Sequence, residues 1–309
     1  MLSVIVCTYN RCETLKQTLP SLLQQKFPDE NYEIIVVDNN STDNTAGVVA
    51  EFNRSGNKQI RYVKELQQGL SYARNKGAEV ATGEIIAYID DDAIADENWL
   101  DGLYEIYEKY ENVDCVGGQI KLLWQGERPS WMPFEYESLL GRLDLGAEPM
   151  ECDSLFGGNL SMKKNLWNKT GGFDTNLGRQ GKGLLSMEET EFCHRIKESG
   201  AKLMYTPHAL VHHIIPLERM TQKYLRRRIY WQAISQTIYH QIIQPKSKIV
   251  LTKDILKFSK STLGTFVRLI KAQIVGSESF IYDARLYYWI GRICSTARLI
   301  SSGSDFVKS

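Results

Sequence analysis

The sequence predicts an α/β protein: a doubly wound sheet with mostly parallel strands, followed by a basic helical segment. Three observations carry that reading. Short apolar runs alternate with stretches of helical periodicity through the first third of the chain, the pattern of a sheet wound with helices. Polar residues follow directly on several of those runs, at the strand ends where such sheets bind ligands. Charge is also divided unevenly. The 37 Lys and Arg balance 37 Asp and Glu, yet from Pro216 onward 16 basic residues face 5 acidic ones, leaving 21 against 32 before it. That asymmetry predicts two segments with different partners.

The elements follow in order. Ser3 to Thr8 is an apolar strand that breaks at Thr-Tyr-Asn-Arg, and Leu15, Leu19, Leu22 and Leu23 then recur at helical spacing. A second strand, Tyr32 to Val37, ends on Asp38. Asp43 or Asn44 is placed to cap the helix carrying Val48, Val49 and Phe52. A strand over Ile60 to Val63 and a helix over Ser71 to Val80 lead into GEIIAYIDDDAI, Gly83 to Ile94. There the run Ile85 to Ile89 reads as a buried parallel strand. A helix from Asn98 to Tyr110 and a strand from Cys115 to Leu122 come next, then an irregular aromatic loop with Trp131 and Phe134. Two Gly-rich turns flank a strand and a short helix. Met187 to Gly200 reads as an amphipathic helix with acids at its head, and Lys202 to Thr206 as a last strand before His212 and His213. From Leu217 helical periodicity dominates, through Arg226 to Tyr239, Ile255 to Ile274 and Phe280 to Ile300. Acidic residues nearly vanish there, as in basic amphipathic helices that lie on anionic membrane or form a helical subdomain.

The six cysteines lack CxxC pairs and metal-ligand spacing, so reduced thiols in a cytoplasmic setting are expected. No basic stretch precedes the short apolar run of MLSVIVCTYNR, so no signal peptide is expected, and charges interrupt every C-terminal apolar run before spanning length.

The chemistry concentrates at Asp90, Asp91 and Asp92. Three adjacent anions at a strand end repel one another and call for a cation. If the chain stays extended, Asp90 and Asp92 face one side and Asp91 the other. Two carboxylates beyond a sheet's carboxyl edge suit a hard divalent metal carrying substrate phosphates. An acidic turn capping the next helix would account for Asp92 or Asp96, but not for three charges placed directly on an apolar strand.

SVIVCTYNR, VVDNNSTDNT, GLSYARNKGAEVATGEIIAYIDDD, GGNLSMKK, TGGFD and EETEFCHRIKESG occur in that order. The set resembles the family 2 glycosyltransferases of the GT-A fold, inverting enzymes that use nucleotide-activated sugars, and it covers about Leu2 to Pro216. The resemblance implies a Rossmann-like, doubly wound mixed sheet. A glycosyltransferase domain over 1–216 would comprise a nucleotide-sugar half (about 1–122) and an acceptor half (about 123–216), with the basic helical segment over 217–309. It places Thr8, Tyr9, Asn10 and Arg11 against the nucleotide and Asp38 at the base or ribose. Gly69, Arg74 and Asn75 match the family's GxxxARN pattern, with Arg74 near the diphosphate. Asp90, Asp91 and Asp92 match its DxD motif: Asp92 leads as ligand of Mn²⁺ or Mg²⁺, Asp90 lies nearer the ribose or sugar, and His213 lies near metal and diphosphate. Gly157, Gly158 and Asn159 match a turn that substrate approaches, with Asn159 bonding sugar hydroxyls or only holding the turn. Trp131 and Phe134 are candidate stacking platforms for an acceptor sugar.

The family usually has Glu-Asp at the head of the acidic helix; here it is Glu188-Glu189. Aligned on Arg195, Glu189 takes the base's position and Glu188 is the alternative. An inverting transfer needs one carboxylate to accept the acceptor hydroxyl's proton, whereas acids at a helix head also simply complement its dipole. The expected partners are a nucleotide diphosphate-sugar, with a UDP-sugar foremost, and a saccharide or lipid-linked acceptor. Nucleic acid is not expected. Peripheral contact with the cytoplasmic face of an anionic membrane is expected through the C-terminal helices. The rival reading is a nucleotide-sugar-binding or scaffold protein whose chemistry is impaired. A nucleotidyltransferase ranks last, because CTYNRCETL lacks the glycines of a phosphate loop.

Overall fold

The computed structural model describes residues 1–54, 60–181, 183–275 and 279–302. The chain divides into two compact units: 1–123, 140–175 and 188–215 in the first, and 124–139, 176–187 and 216–309 in the second.

The first unit opens with β1 (Leu2–Thr8), α1 (Cys12–Leu23), β2 (Tyr32–Asp38), α2 (Thr45–Arg54), β3 (Ile60–Lys64), α3 (Leu70–Val80) and β4 (Ile85–Asp90). β5 (Ala93–Ala95), α4 (Trp99–Lys109), β6 (Val113–Trp124), β7 (Met150–Glu151), β8 (Asn159–Lys163), α5 (Lys164–Thr170), α6 (Glu188–Glu198) and β9 (Lys202–Ile215) follow. The sheet order is β3-β2-β1-β4-β8-β6-β9-β5, with β7 paired to β9. β1 through β4 pair in parallel, while β8 runs antiparallel to β4 and β6. The sheet is therefore mixed. Its central strands are apolar on both faces, and Val4, Ile5, Val6, Ile34, Ile35, Val36 and Ile86 are wholly buried, as parallel strands covered by helices require.

Two elements differ from the sequence expectation. β9 does not stop at Thr206. It runs on through Pro207, and the Thr206 hydroxyl accepts the His208 N–H just past the proline, giving the backbone a local partner. β5 is a three-residue strand directly after the aspartates, paired antiparallel with β9 at Ala93↔His213. That pairing brings the end of the acidic run to the histidine.

The second unit holds residues 134–139 of the 3₁₀ turn Phe134–Leu140 and the helices α7 (Gln222–Ile243), α8 (Lys248–Val275) and α9 (Phe280–Ser302). Segments 124–139 and 176–187 group with these helices, not with the domain expected to end at residue 216. The reason is packing. Trp131 sits edge-on to Phe280 with ring centroids 4.8 Å apart, and Leu177 is buried with Ile234 and Ile238.

Candidate active site

β1, β2 and β4 end side by side, with Thr8 opposite Asp38 and Cys7 opposite Asp90. The loops leaving β1 and β2 are laced together. Asn10, in left-handed backbone at φ 53, accepts the N–H groups of Thr42 (2.7 Å) and Asp43 (3.2 Å), and its own N–H donates to Ser41 Oγ. Asn tolerates that conformation better than most residues. Asp43 caps two helices at once, accepting from the N–H of Cys12 at the head of α1 and of Thr45 at the head of α2. Asp38 is buried; Oδ1 accepts from the Ser41 N–H (2.8 Å) and Oδ2 from the Tyr62 hydroxyl (2.6 Å). Burial, with the Asp38 carboxylate adding to it, pushes the Tyr62 phenol up to about 12. Gly69, at φ 150, is in backbone that suits glycine, and its N–H donates to Asn39 Oδ1 (2.7 Å). Tyr9 is exposed.

The aspartates do not follow the extended alternation. The strand ends at Asp90, and Asp91 and Asp92 lie in a turn. Asp91 and Asp92 both pair with Arg11, while Asp90 is 3.5 Å from Arg74. Two arginine side chains thus supply the positive charge that the triplet calls for. Arg11, the residue expected against the nucleotide, spans the acidic pair. Burial pushes the Asp91 carboxyl up, to about 6, with Arg11 opposing the shift and Asp92 adding to it. On its other side, Asp92 Oδ1 lies 3.2 Å from His213 Nε2, and His213 Nδ1 lies 2.7 Å from the Leu140 carbonyl.

Arg74 is the hub. Its side chain is 4 % exposed, far more buried than a helix surface arginine. It donates from Nη1 to Glu188 Oε1 at 2.8 Å, faces Asp90 through Nη2 and lies over the Phe173 ring, 5.3 Å from its centroid. Gly157 and Gly158 make room for this cluster: a Cβ at Gly157 would come within 2.6 Å of the Arg74 guanidinium, and one at Gly158 within 2.6 Å of the Asp90 carboxylate. Arg74 therefore ties the strand-end acid to the helix-head acid, which lies 114 residues beyond Arg74 in sequence.

Glu188 and Glu189 differ in setting. Glu188 is held by Arg74. That bond uses Glu188 Oε1; Glu188 Oε2 and Glu189 Oε2 are both buried without a hydrogen-bond partner among the described residues. Burial and the neighbouring Glu188 carboxylate push the Glu189 carboxyl up, to about 8, against the pull of Arg74. Met187, just before them, has φ 82, an uncommon conformation for a long side chain.

Asn75, Asn159 and Trp131 of the expected site residues have partners within the protein. Asn75 spends its amide on the backbone of Phe173, accepting the N–H (2.8 Å) and donating to the carbonyl (2.9 Å). It fixes the ring beneath Arg74. Asn159 is wholly buried. Its Oδ1 accepts from Trp99 Nε1, and Nδ2 donates to the carbonyls of Gln119 and Ala209. Both of its N–H donors are used, so no sugar hydroxyl can take them; it braces β6, β9 and α4. Trp131 and Phe134 belong to the second unit, and Trp131 spends one ring edge on Phe280. Sequence reasoning missed Asn39, whose side chain bonds Gln67, Gln68 and Gly69, and Phe173. The Asn-Asn pair after Asp38 was a legible turn signal for the first. Nothing local pointed to the second.

Among the described residues no three His, Cys, Asp or Glu side chains form a ready metal cage. Asp92 and His213 nonetheless fit a divalent cation. An imidazole donating from Nδ1 to a carbonyl presents a lone pair at Nε2, here toward a carboxylate oxygen, and a proton or a cation must reconcile two acceptors. The carbonyl behind Nδ1 is also the usual outer partner of a metal-ligating histidine.

Residues 3–167 match the model of glycosyl transferase family 2. The chain is 32% identical over 241 residues to a glucosyl-dolichyl phosphate glucuronosyltransferase of Haloferax volcanii, spanning 76% of each chain. It is 27% identical to the succinoglycan biosynthesis protein ExoM of Rhizobium meliloti, over 72% of this chain and 70% of that one. Among solved structures it resembles a mannosyltransferase from Pyrobaculum calidifontis in complex with GDP-Man and Mn²⁺. The TM-score there is 0.63 at 17% identity, over 97% of this chain and 86% of that one. It also resembles GalNAc-T7 with UDP, GalNAc and Mn²⁺, with TM-score 0.58 and 19% identity, over 80% of this chain and 53% of that one.

Proposed function

The chain belongs to glycosyl transferase family 2, and on that premise we propose a metal-dependent, inverting transfer of a sugar from a nucleoside diphosphate-sugar, foremost a UDP-sugar, to a hydroxyl of a saccharide or lipid-linked acceptor. The fold is GT-A, the enzyme is a glycosyltransferase using nucleotide-sugar donors, and its named relatives work in polysaccharide and glycoconjugate biosynthesis. The relative from Haloferax volcanii is named for a dolichyl-phosphate-linked sugar, which supports a lipid-linked acceptor here.

The observation that carries the mechanism is the Asp90–Arg74–Glu188 cluster with Glu189 beside it. It joins the edge where donors bind such sheets to a carboxylate able to take a proton. Asp38, with acceptor capacity left on each oxygen, would receive base or ribose donors beyond β2. Asp92 and His213 would hold Mn²⁺ or Mg²⁺, which supplies neutralisation of the charge on the departing diphosphate. Glu189 takes the proton from the acceptor hydroxyl as that oxygen bonds to the anomeric carbon. The bond from that carbon to the phosphate oxygen breaks with inversion, and the nucleoside diphosphate leaves. A base whose carboxyl is raised toward neutral pH suits this proton transfer. Glu188, pinned by Arg74, is a positioning group.

The test is Glu189→Gln. A thermal-shift panel of UDP-, GDP- and dTDP-sugars with and without Mn²⁺ identifies the donor, and the variant should bind that donor unchanged. Release of nucleoside diphosphate in the presence of acceptor should fall about 10²–10⁴-fold. Unchanged turnover in Glu189→Gln overturns the assignment. Donor binding with no transfer by the wild type to any acceptor would favour an impaired binding protein, for which the Glu-Glu departure is the hint.

A further inference from the structure

The second unit carries a surface that no step of sugar transfer uses. On α8, Leu251, Phe258, Thr265 and Leu269 are buried, and Phe258 stacks on Trp289 of α9 with centroids 5.8 Å apart. The opposite side is also apolar. Leu256, Leu263, Val267, Ile270 and Ile274 recur at intervals of seven, four, three and four, the spacing of one helix face, and each is between 40 and 79 % exposed. Phe266, on the flank of that stripe, is 47% exposed. Single exposed apolar residues are ordinary on a protein surface, whereas a continuous stripe marks an interaction site.

Charge selects the occupant. By 100° per residue, Lys253, Lys257, Lys260 and Lys271 lie along one edge of the stripe, and all four are exposed. The single acid of the helix, Asp254, is ion-paired with Lys246 at 2.7 Å. α8 therefore presents an apolar band with a cationic border and no acidic residue on the exposed face. A second copy pairing antiparallel through this face would set lysines against lysines, and a parallel one would offer neither lysine edge an acid on the exposed face. A lipid surface with anionic headgroups complements both halves, taking the aliphatic side chains below the headgroups and the ammonium groups among them. No described helix is long and apolar enough to cross a membrane, so the geometry is that of a helix lying in the interface.

We propose that α8 is a membrane-docking helix that seats the enzyme on an anionic bilayer. The inference rests on the reading of a lipid-linked acceptor, whose hydroxyl is presented at such a surface.

The experiment is flotation of the full chain with vesicles of phosphatidylcholine, with and without phosphatidylglycerol, in the absence of donor and acceptor. The wild type should float with the anionic vesicles at low salt and progressively less as salt screens the lysines. L263E/I270E should lower partitioning by about ten-fold or more, with helix content by circular dichroism and transfer to a water-soluble acceptor unchanged. K257E/K260E should lose the preference for anionic vesicles. Absence of flotation at low salt overturns the proposal. So does a wild-type dimer that L263E/I270E converts to monomer while vesicle binding stays the same, because the stripe would then be covered by a second copy. Neither result touches the transferase reading, which Glu189→Gln tests independently.

Discussion

Replacing Arg74 by methionine removes the cation shared by Asp90 and Glu188 while keeping a side chain of similar length. Arg74 and Glu188 are each 4 % exposed, so the surviving Glu188 carboxylate would be stranded in the interior with Glu189 beside it. Breaking a buried pair on one side costs about 3–5 kcal/mol, a large part of the roughly 5–15 kcal/mol that stabilises a typical domain. In urea unfolding followed by tryptophan fluorescence, the midpoint should drop by on the order of 1 M. The double variant Arg74→Met/Glu188→Gln should recover much of the loss, because the stranded charge is gone, giving a coupling energy well beyond the ~0.5 kcal/mol of independent sites. A catalytic readout separates this from general damage. Arg74 holds the Glu189 carboxyl down, so the pH at which transfer reaches its plateau should move upward in Arg74→Met. If Arg74→Met unfolds within about 1 kcal/mol of the wild type and its effect simply adds to that of Glu188→Gln, the hub is not what joins the two halves of the site.

The remaining predictions follow from the same geometry. With the Glu189 carboxyl raised to about 8, the base is mostly protonated at neutral pH, so the transfer rate should climb with unit slope in log rate against pH and level off near that value; a flat profile between pH 6 and 8, an interval of roughly two units around the usual operating range, would contradict the role. For stability the sign is opposite. A carboxyl raised in the folded state favours folding below its ordinary value, and that contribution is lost as pH rises toward 8, which Glu189→Gln should abolish in a pH series of melting temperatures. Arg11→Gln removes the guanidinium that spans Asp91 and Asp92. Mn²⁺ binding without nucleotide, read from free-ion paramagnetic resonance, should therefore tighten by about ten-fold, worth roughly 1.4 kcal/mol; weaker binding would show that Arg11 helps hold the ion. Asn159→Leu should lower stability by about 3 kcal/mol or more, since Trp99 Nε1 and the carbonyls of Gln119 and Ala209 all lose their partner. A raised KM for donor or acceptor at unchanged melting temperature would instead restore Asn159 to the substrate.

The sequence by itself determined the alternation of strand and helix, because burial on both faces of a parallel strand needs a continuous apolar run such as Ile85 to Ile89, and no packing partner has to be known to read it. It also determined which residues crowd the strand ends. Thr8, Asp38 and Asp90 had only to terminate neighbouring strands to converge, and parallel pairing delivers that. What each side chain faces was decided by tertiary structure alone. Arg74 resembles any helix arginine until Asp90 and Glu188 are folded against it, and Asn75 and Asn159 resemble ligand-binding amides until backbone from distant segments takes up their hydrogen bonds. Arg11 and the aspartate triplet follow the same rule. Local sequence set a charge imbalance at Asp90 to Asp92, and the fold chose which cations answer it: Arg11 for Asp91 and Asp92, Arg74 for Asp90, with His213 brought to Asp92 through the β5–β9 pairing. Periodicity records which way a residue points relative to its own element. The identity of the partner lies on another element and enters only when the chain is packed.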